Sequence, residues 1–198
     1  MNVAKDNIKS IKEESDYSKY NLWNLDDTEG LFPWIYHRKE SKVLFSVLCH
    51  LKNSNFIQID IDADRTLCLP KEYEDLYGVI VKSKKILEYP DNWDDEGSKA
   101  YNLMTWGNTI VFLINYANWS YDHFNIILPT PQILPGPLGS IDLYWENEEY
   151  ELLVTIPENL NNNLKFYGDN KKDTKIKGEF DFRNYKQSVF LSLLSYIK

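Results

Sequence analysis

The chain has 198 residues, of which 43% are hydrophobic and 15% aromatic, enough for one good core or two small ones. Its formal net charge of −8 speaks against general nucleic-acid or anionic-membrane binding, because both need a positive face that displaces counterions. No apolar run approaches the roughly 18 residues of a membrane span, and the start, Met1-Asn2-Val3-Ala4-Lys5-Asp6, has no apolar leader core.

Residues 1–16 are polar and mixed in charge, and read as a surface tail. Between residues 17 and 36 come Tyr17, Tyr20, Trp23, Phe32, Trp34 and Tyr36. Such density is expected to pack on a core; the sharper alternative is an aromatic strip for a partner, with Trp23 and Trp34 as its anchors. Val43–Leu51 is apolar nearly throughout and fits a buried strand. Phe56–Asp62 alternates, with Ile57, Ile59 and Ile61 on one face and Gln58, Asp60 and Asp62 on the other, as in an antiparallel strand with one wet face. Cys49 and Cys68 both lie in apolar settings; buried free thiols are expected, and with them a cytoplasmic location.

Pro70 opens a helix carrying Leu76, Val79, Ile80, Ile86 and Leu87, and a soft domain boundary falls here. Pro90 then stops it. In the following turn, Gly97 can take a positive φ, and Ser98 is placed to cap the next helix. Asp94, Asp95 and Glu96 would favour that helix's positive end, with Trp93 packed under the turn. After Ser98, Ala100, Leu103, Met104, Gly107, Ile110, Val111, Ile114 and Ala117 recur at helical spacing, the strongest helix pattern in the chain. Asn118–Asn125 reads as a loop, and Gln132–Leu134 as a short edge strand between prolines.

From Ser140 the period becomes two. Ile141, Leu143 and Trp145 share a face, as do Tyr150, Leu152, Val154 and Ile156, then Leu164 and Phe166, then Ile176, Gly178 and Phe180. Turn formers separate these runs, which predicts an antiparallel meander. Lys171, Lys172, Lys175 and Lys177 read as a polar turn and a protected edge strand. Asp181 caps a last helix with the stripe Tyr185, Val189, Leu193 and Tyr196. The expected fold is α+β: an antiparallel β meander packed against amphipathic helices over residues 70–198, with a smaller β-rich part over 17–69 and a polar tail over 1–16.

Tyr89-Pro90-Asp91-Asn92-Trp93-Asp94-Asp95-Glu96-Gly97-Ser98 resembles the Leu-Pro-x-Asn-Trp-Asp-Gly-x-Gly-Ala signature of uncharacterised small bacterial proteins. In those a helix, a Pro-rich segment like Leu128–Gly139, a strand like Ile141–Trp145, a meander and a closing helix follow. The resemblance covers about residues 70–198. It implies that architecture and a bacterial-type cell, and brings no activity. Asp95 stands where the signature has Gly, and Ser98 where it has Ala.

Chemistry-bearing patterns are few. Asp62-Ala63-Asp64-Arg65-Thr66-Leu67 resembles the nucleophile loop of haloacid-dehalogenase-type phosphatases, in which a first Asp attacks phosphorus beside Mg²⁺. Arg65 sits where that loop wants Gly, the strand before it alternates, and no series of βα units follows. Asp60, Asp62 and Asp64 also imitate the start of a calcium loop, but the positions that need Gly and Glu hold Arg65 and Lys71. His37, Cys49, His50 and Cys68 lack metal-ligand spacing, and no cofactor fingerprint is present.

The leading expectation is a non-catalytic, acidic protein-binding protein, an adaptor, inhibitor or antitoxin- or immunity-like accessory, that covers a basic site on another protein. Trp23, Trp34, Trp93, Asp94, Asp95, Glu96 and Trp145 are its candidate binding residues. The first alternative is a metal-dependent hydrolase using Asp60, Asp62 and Asp64, or Asp94, Asp95 and Glu96. The second is a small-ligand module with an aromatic pocket between Trp93, Trp106 and Trp145.

Overall fold

A computed structural model describes residues 56–63 and 65–194. All of them belong to one compact unit, Trp34–Lys198. The expected tail, the aromatic segment with Trp23 and Trp34, the 43–51 strand and Asp64 lie outside the described residues.

The chain enters as a hairpin. Strand β1 (Phe56–Asp60) pairs antiparallel with β2 (Thr66–Pro70), with Ile59 opposite Leu67. The sequence pattern picks out β1 alone, because β2 has both faces buried and so no alternation to read. The tight connection is closed by the Ile61 N–H on the Arg65 carbonyl, at 2.9 Å. A 3-10 turn (Lys71–Tyr73) then leads from Pro70 into helix α1 (Glu74–Ser83), which tightens into a second 3-10 stretch, Lys84–Glu88.

Helix α2 (Leu103–Phe124) is the centre of the molecule, and every residue from Thr105 to Ser120 is buried. Helical spacing predicts one apolar stripe; the structure covers all sides, as its near-continuous apolar run allows. On the sheet side, Phe112 meets Phe180 with ring centres 6.0 Å apart, and Tyr116 meets Phe190 at 5.7 Å. On the hairpin side, the Asn118 side chain donates to the Cys68 carbonyl at 3.2 Å. Arg65 Nη1 donates to Asn108 Oδ1 at 3.1 Å. Gly107 makes room for that guanidinium, since a Cβ there would collide with Arg65 and come within 2.8 Å of Ile61. Asn115 is fully buried, and neither of its side-chain polar atoms has a hydrogen-bond partner among the described residues.

Both ends of α2 differ from expectation. Its N-cap is Asn102, whose side chain accepts from the Thr105 N–H at 2.7 Å, so the cap falls four residues after Ser98. Its C-cap is Asn125 in the left-handed region, φ 54°. The 118–124 stretch, polar enough to read as loop, is a last helical stretch because Asn118 and Ser120 find backbone partners, the latter donating to the Ile126 carbonyl at 3.0 Å.

The second sheet is the expected meander. Strands β3 (Gln132–Pro135), β4 (Ile141–Glu146), β5 (Glu151–Ile156), β6 (Leu164–Asp169) and β7 (Lys175–Phe180) pair in that order, all antiparallel. Its inner face is built from cross-strand pairs such as Ile141 with Ile156, Leu143 with Val154 and Trp145 with Leu152, all buried. Burying each such side chain contributes about 1.5–3 kcal/mol. Gly178 lets the Phe166 ring lie over the opposite strand, because a Cβ would come within 2.8 Å of it. The closing segment is broken in two: Asp181 caps a 3-10 turn (Phe182–Asn184), and helix α3 (Ser188–Leu194) follows with Phe190 against the core. The fold is thus α+β, an antiparallel meander backed by helices, with a hairpin on the far side of α2.

The expectation of a free thiol at Cys68 is corrected: Cys68 is disulfide-bonded, and among the described residues no cysteine is free. Cys49 lies outside the described residues. The argument for a cytoplasmic location that rested on free thiols therefore falls. Among the described residues no helix is long and apolar enough to cross a membrane.

Candidate binding surface at the acidic loop

Tyr89–Ser98 forms a closed loop held by its own polar groups. The Asn92 N–H donates to the Ser98 carbonyl at 2.6 Å, and the Asp95 N–H to the Asn92 carbonyl at 3.2 Å. Asn92 Oδ1 accepts from the Gly97 N–H at 2.7 Å. Asp94 Oδ1 accepts from the N–H groups of Glu96 and Ser98, both at 3.1 Å, and Oδ2 takes the Ser98 hydroxyl. Asp91 reaches over the loop to the Ala100 N–H at 2.8 Å. Ser98 therefore serves as the loop's far anchor and caps no helix. The Ser98 hydroxyl, with the backbone N–H groups behind it, holds the Asp94 carboxyl below the usual carboxylate range.

Three residues of this loop have positive φ: Asn92 (60°), Asp95 (59°) and Gly97 (88°). Asp95 stands where the resembled signature carries Gly, at a conformation that glycine takes freely and aspartate tolerates. The carboxylates of Asp95 and Glu96 have no hydrogen bond or ion pair among the described residues, so their charge faces outward. Asp94 is spent on the loop itself.

Trp93 does not sink under the turn. It stays 36% exposed, stacked on Tyr89 with ring centres 4.9 Å apart and planes 18° from parallel. Tyr101 stands behind both rings, 6.4 Å from Tyr89 and 6.3 Å from Trp93. The Tyr101 hydroxyl donates to the Gly136 carbonyl at 2.8 Å, which fixes this aromatic trio to the β3–β4 turn. Under that turn lies Asp142, whose Oδ1 is buried without a hydrogen-bond partner among the described residues and would sit 3.0 Å from a Cβ on Gly136. Burial pushes the Asp142 carboxyl up, against a smaller opposing effect of a hydrogen bond with Thr155.

The other candidates fall elsewhere. Trp145 is buried in the sheet, with its indole N–H on the Pro129 carbonyl at 2.8 Å. Trp106 is buried in α2, with its N–H on the Ser83 hydroxyl at 2.9 Å. No ring contact joins either to Trp93 among the described residues. Asp60 accepts the Thr66 hydroxyl at 2.7 Å. Asp62 is clamped by Arg65, through Nε at 2.6 Å and the backbone N–H at 2.8 Å. Arg65, the residue that departs from the phosphatase loop, is thus the hairpin's own clasp. Among the described residues no group of three or more His, Cys, Asp or Glu is placed to hold a metal ion.

Sequence reasoning named the loop but missed Tyr101 and Asp142. Tyr101 carries a readable signal, an aromatic just before a helix. Asp142 alternates as a wet-face residue and gives none, because its burial comes from the turn folding over it.

The protein is thus of the α+β class, with an acidic, aromatic loop held against one turn of its meander. Comparison with protein-family models, curated proteins and solved structures gives no match.

Proposed function

We propose that this is a non-catalytic, acidic binding protein, an adaptor, inhibitor or antitoxin-like accessory, that takes a basic site of another protein at the Tyr89–Ser98 loop. One observation carries the reading. Trp93 is held half in solvent on a rigid platform of Tyr89 and Tyr101, beside outward-facing Asp95 and Glu96. An exposed tryptophan face attracts a guanidinium or ammonium by about 0.5–1 kcal/mol, more when the pair is desolvated. Carboxylates alongside speed encounter and fix orientation. A loop pre-ordered by its own hydrogen bonds loses little entropy on binding.

The test is titration with an unstructured oligo-arginine peptide at low salt, followed by tryptophan emission. Saturable binding should weaken severalfold in Asp95→Asn/Glu96→Gln and in Trp93→Ala. The remote pair Glu148→Gln/Glu149→Gln should leave it unchanged. Equal loss in the local and remote variants would reduce the effect to net charge and overturn the reading.

A further inference from the structure

We propose that the exposed apolar side chains beside the acidic loop dock the apolar stripe of a basic amphipathic helix belonging to a partner protein. This deepens the reading of the loop as a basic-partner site and rests on it.

Leu138 is the first observation. It sits at the tip of the β3–β4 connection with φ 56° and ψ 32°, and it is 77% exposed. Asn or Gly suits left-handed backbone far better than leucine does. Neither the core nor the turn's hydrogen bonds use the leucine side chain. The Gly136 N–H on the Ser140 carbonyl, the Ser140 N–H on the Pro137 carbonyl and the Ser140 hydroxyl on the same Pro137 carbonyl close the turn without it. A large apolar group held where both conformation and solvent disfavour it points to a contact beyond the described residues.

The second observation is at the start of α2. Leu103 and Met104 are 47% and 62% exposed, immediately before the buried stretch begins at Thr105. The two places are neighbours. Glu158 Oε1 accepts from the Asn102 side chain at 3.0 Å, one residue before Leu103. The same carboxyl would lie 3.4–3.5 Å from a Cβ on Gly139, one residue after Leu138. On its other flank the turn is held by Tyr101, which leads to Trp93. The segments that carry Trp93, Leu138 and the exposed pair Leu103 and Met104 are thus held next to one another through Tyr101 and Glu158.

Charge selects the occupant. Asp91, Asp94, Asp95 and Glu96 lie in the loop that carries Trp93, Glu158 lies between Asn102 and Gly139, and Lys99 is paired to Glu158 at 3.8 Å. A second copy of a chain with net charge −8 would bring like charge onto like. A basic partner brings the complement. The exposed leucines and methionine lie on a turn and a helix start and not on a strand. An apolar stripe at helical spacing flanked by lysines meets what is presented.

The experiment compares two peptides of identical leucine and lysine content, one with leucines at helical spacing and one scrambled, on the full chain. Three proteins are titrated: wild type, Leu138→Asn/Met104→Gln and Asp95→Asn/Glu96→Gln. Asn accepts the left-handed backbone, and position 104 is exposed, so the first variant should fold. Wild type should bind the patterned peptide about tenfold tighter than the scrambled one, a difference of about 1.4 kcal/mol. Leu138→Asn/Met104→Gln should erase that preference and keep the scrambled affinity. Equal affinity of wild type for both peptides overturns the helix inference and leaves the basic-partner reading standing. A preference that survives Leu138→Asn/Met104→Gln also overturns it. No saturable binding of either peptide overturns both. Concentration-dependent dimerisation of wild type, abolished by Leu138→Asn/Met104→Gln, would assign the patch to self-association and overturn the proposal.

Discussion

The Tyr101 hydroxyl donates to the Gly136 carbonyl at 2.8 Å, and through that bond the loop before α2 and the turn between β3 and β4 become one surface. Tyr101 is 6% exposed, so water cannot readily replace the bond. Tyr101→Phe keeps the ring and deletes the donor. It should lower stability by about 1 kcal/mol, seen as a lower urea midpoint with unchanged slope. Trp93 emission should shift before the global transition, because the trio loses its tie to the sheet.

Asp142 should destabilise the fold at neutral pH. Burial raises its carboxyl above the ordinary aspartate value, so the folded state holds that proton more tightly than the unfolded chain does. Its contribution is present in full below the ordinary value, and is lost as pH rises through the raised one. Asp94, Glu146, Asp169 and Asp181 are shifted down and act in the opposite sense as pH falls. The diagnostic is therefore a difference. Asp142→Asn should be more stable than wild type at pH 7, and the gap should close on acidification toward pH 4. A gap that does not change with pH would mean that Asp142 titrates normally.

The capping geometry separates two neighbouring positions. Asn102 accepts from both the N–H and the hydroxyl of Thr105. Asn102→Ala should therefore cost about 1 kcal/mol, in the range of other lost N-caps, with a loss of helical circular dichroism before the global transition. Ser98→Ala removes the hydroxyl bond to Asp94 and should leave the helix signal intact. Its effect should appear at Trp93, as faster quenching by iodide.

Leu138→Gly should stabilise the protein. Leucine at φ 56° carries roughly 1 kcal/mol of local strain, and at 77% exposure it returns little burial. The added freedom of glycine in the unfolded chain offsets part of the gain. The melting temperature should rise by a degree or more while affinity for the patterned basic peptide falls. A stability loss instead would place the leucine side chain in the turn's own packing.

Gly107 reports how tightly the hairpin lies on α2. Alanine there gains helix propensity of about 1 kcal/mol, yet its Cβ would collide with the Arg65 guanidinium. We expect a net loss of about 1–3 kcal/mol in chemical denaturation, relieved when Gly107→Ala is combined with Arg65→Ala.

Local chemistry wrote the meander into the chain. Ile141, Leu143 and Trp145 alternate with Asp142, Tyr144 and Glu146, and a period of two with turn formers between the runs specifies strands and faces without further context. The start of α2 could not be read so. Ser98 and Asn102 are both good caps, and the choice falls to Asn102 because Asp94 and Asn92 draw the backbone of residues 97 and 98 into the loop. Strand β2 was hidden because burial on both faces erases alternation. The proposed binding residues divide along the same line. Trp93 and its acids are contiguous and visible, whereas Tyr101, Leu138 and Asp142 join them only after the meander folds its first turn against the loop. The sequence by itself determined the antiparallel sheet, the long central helix and the sign of the charge, since these depend on neighbours a few residues apart. Which polar groups stay exposed, which carboxyl is buried and which leucine stands in solvent were decided by tertiary packing, because burial is a property of distant segments meeting.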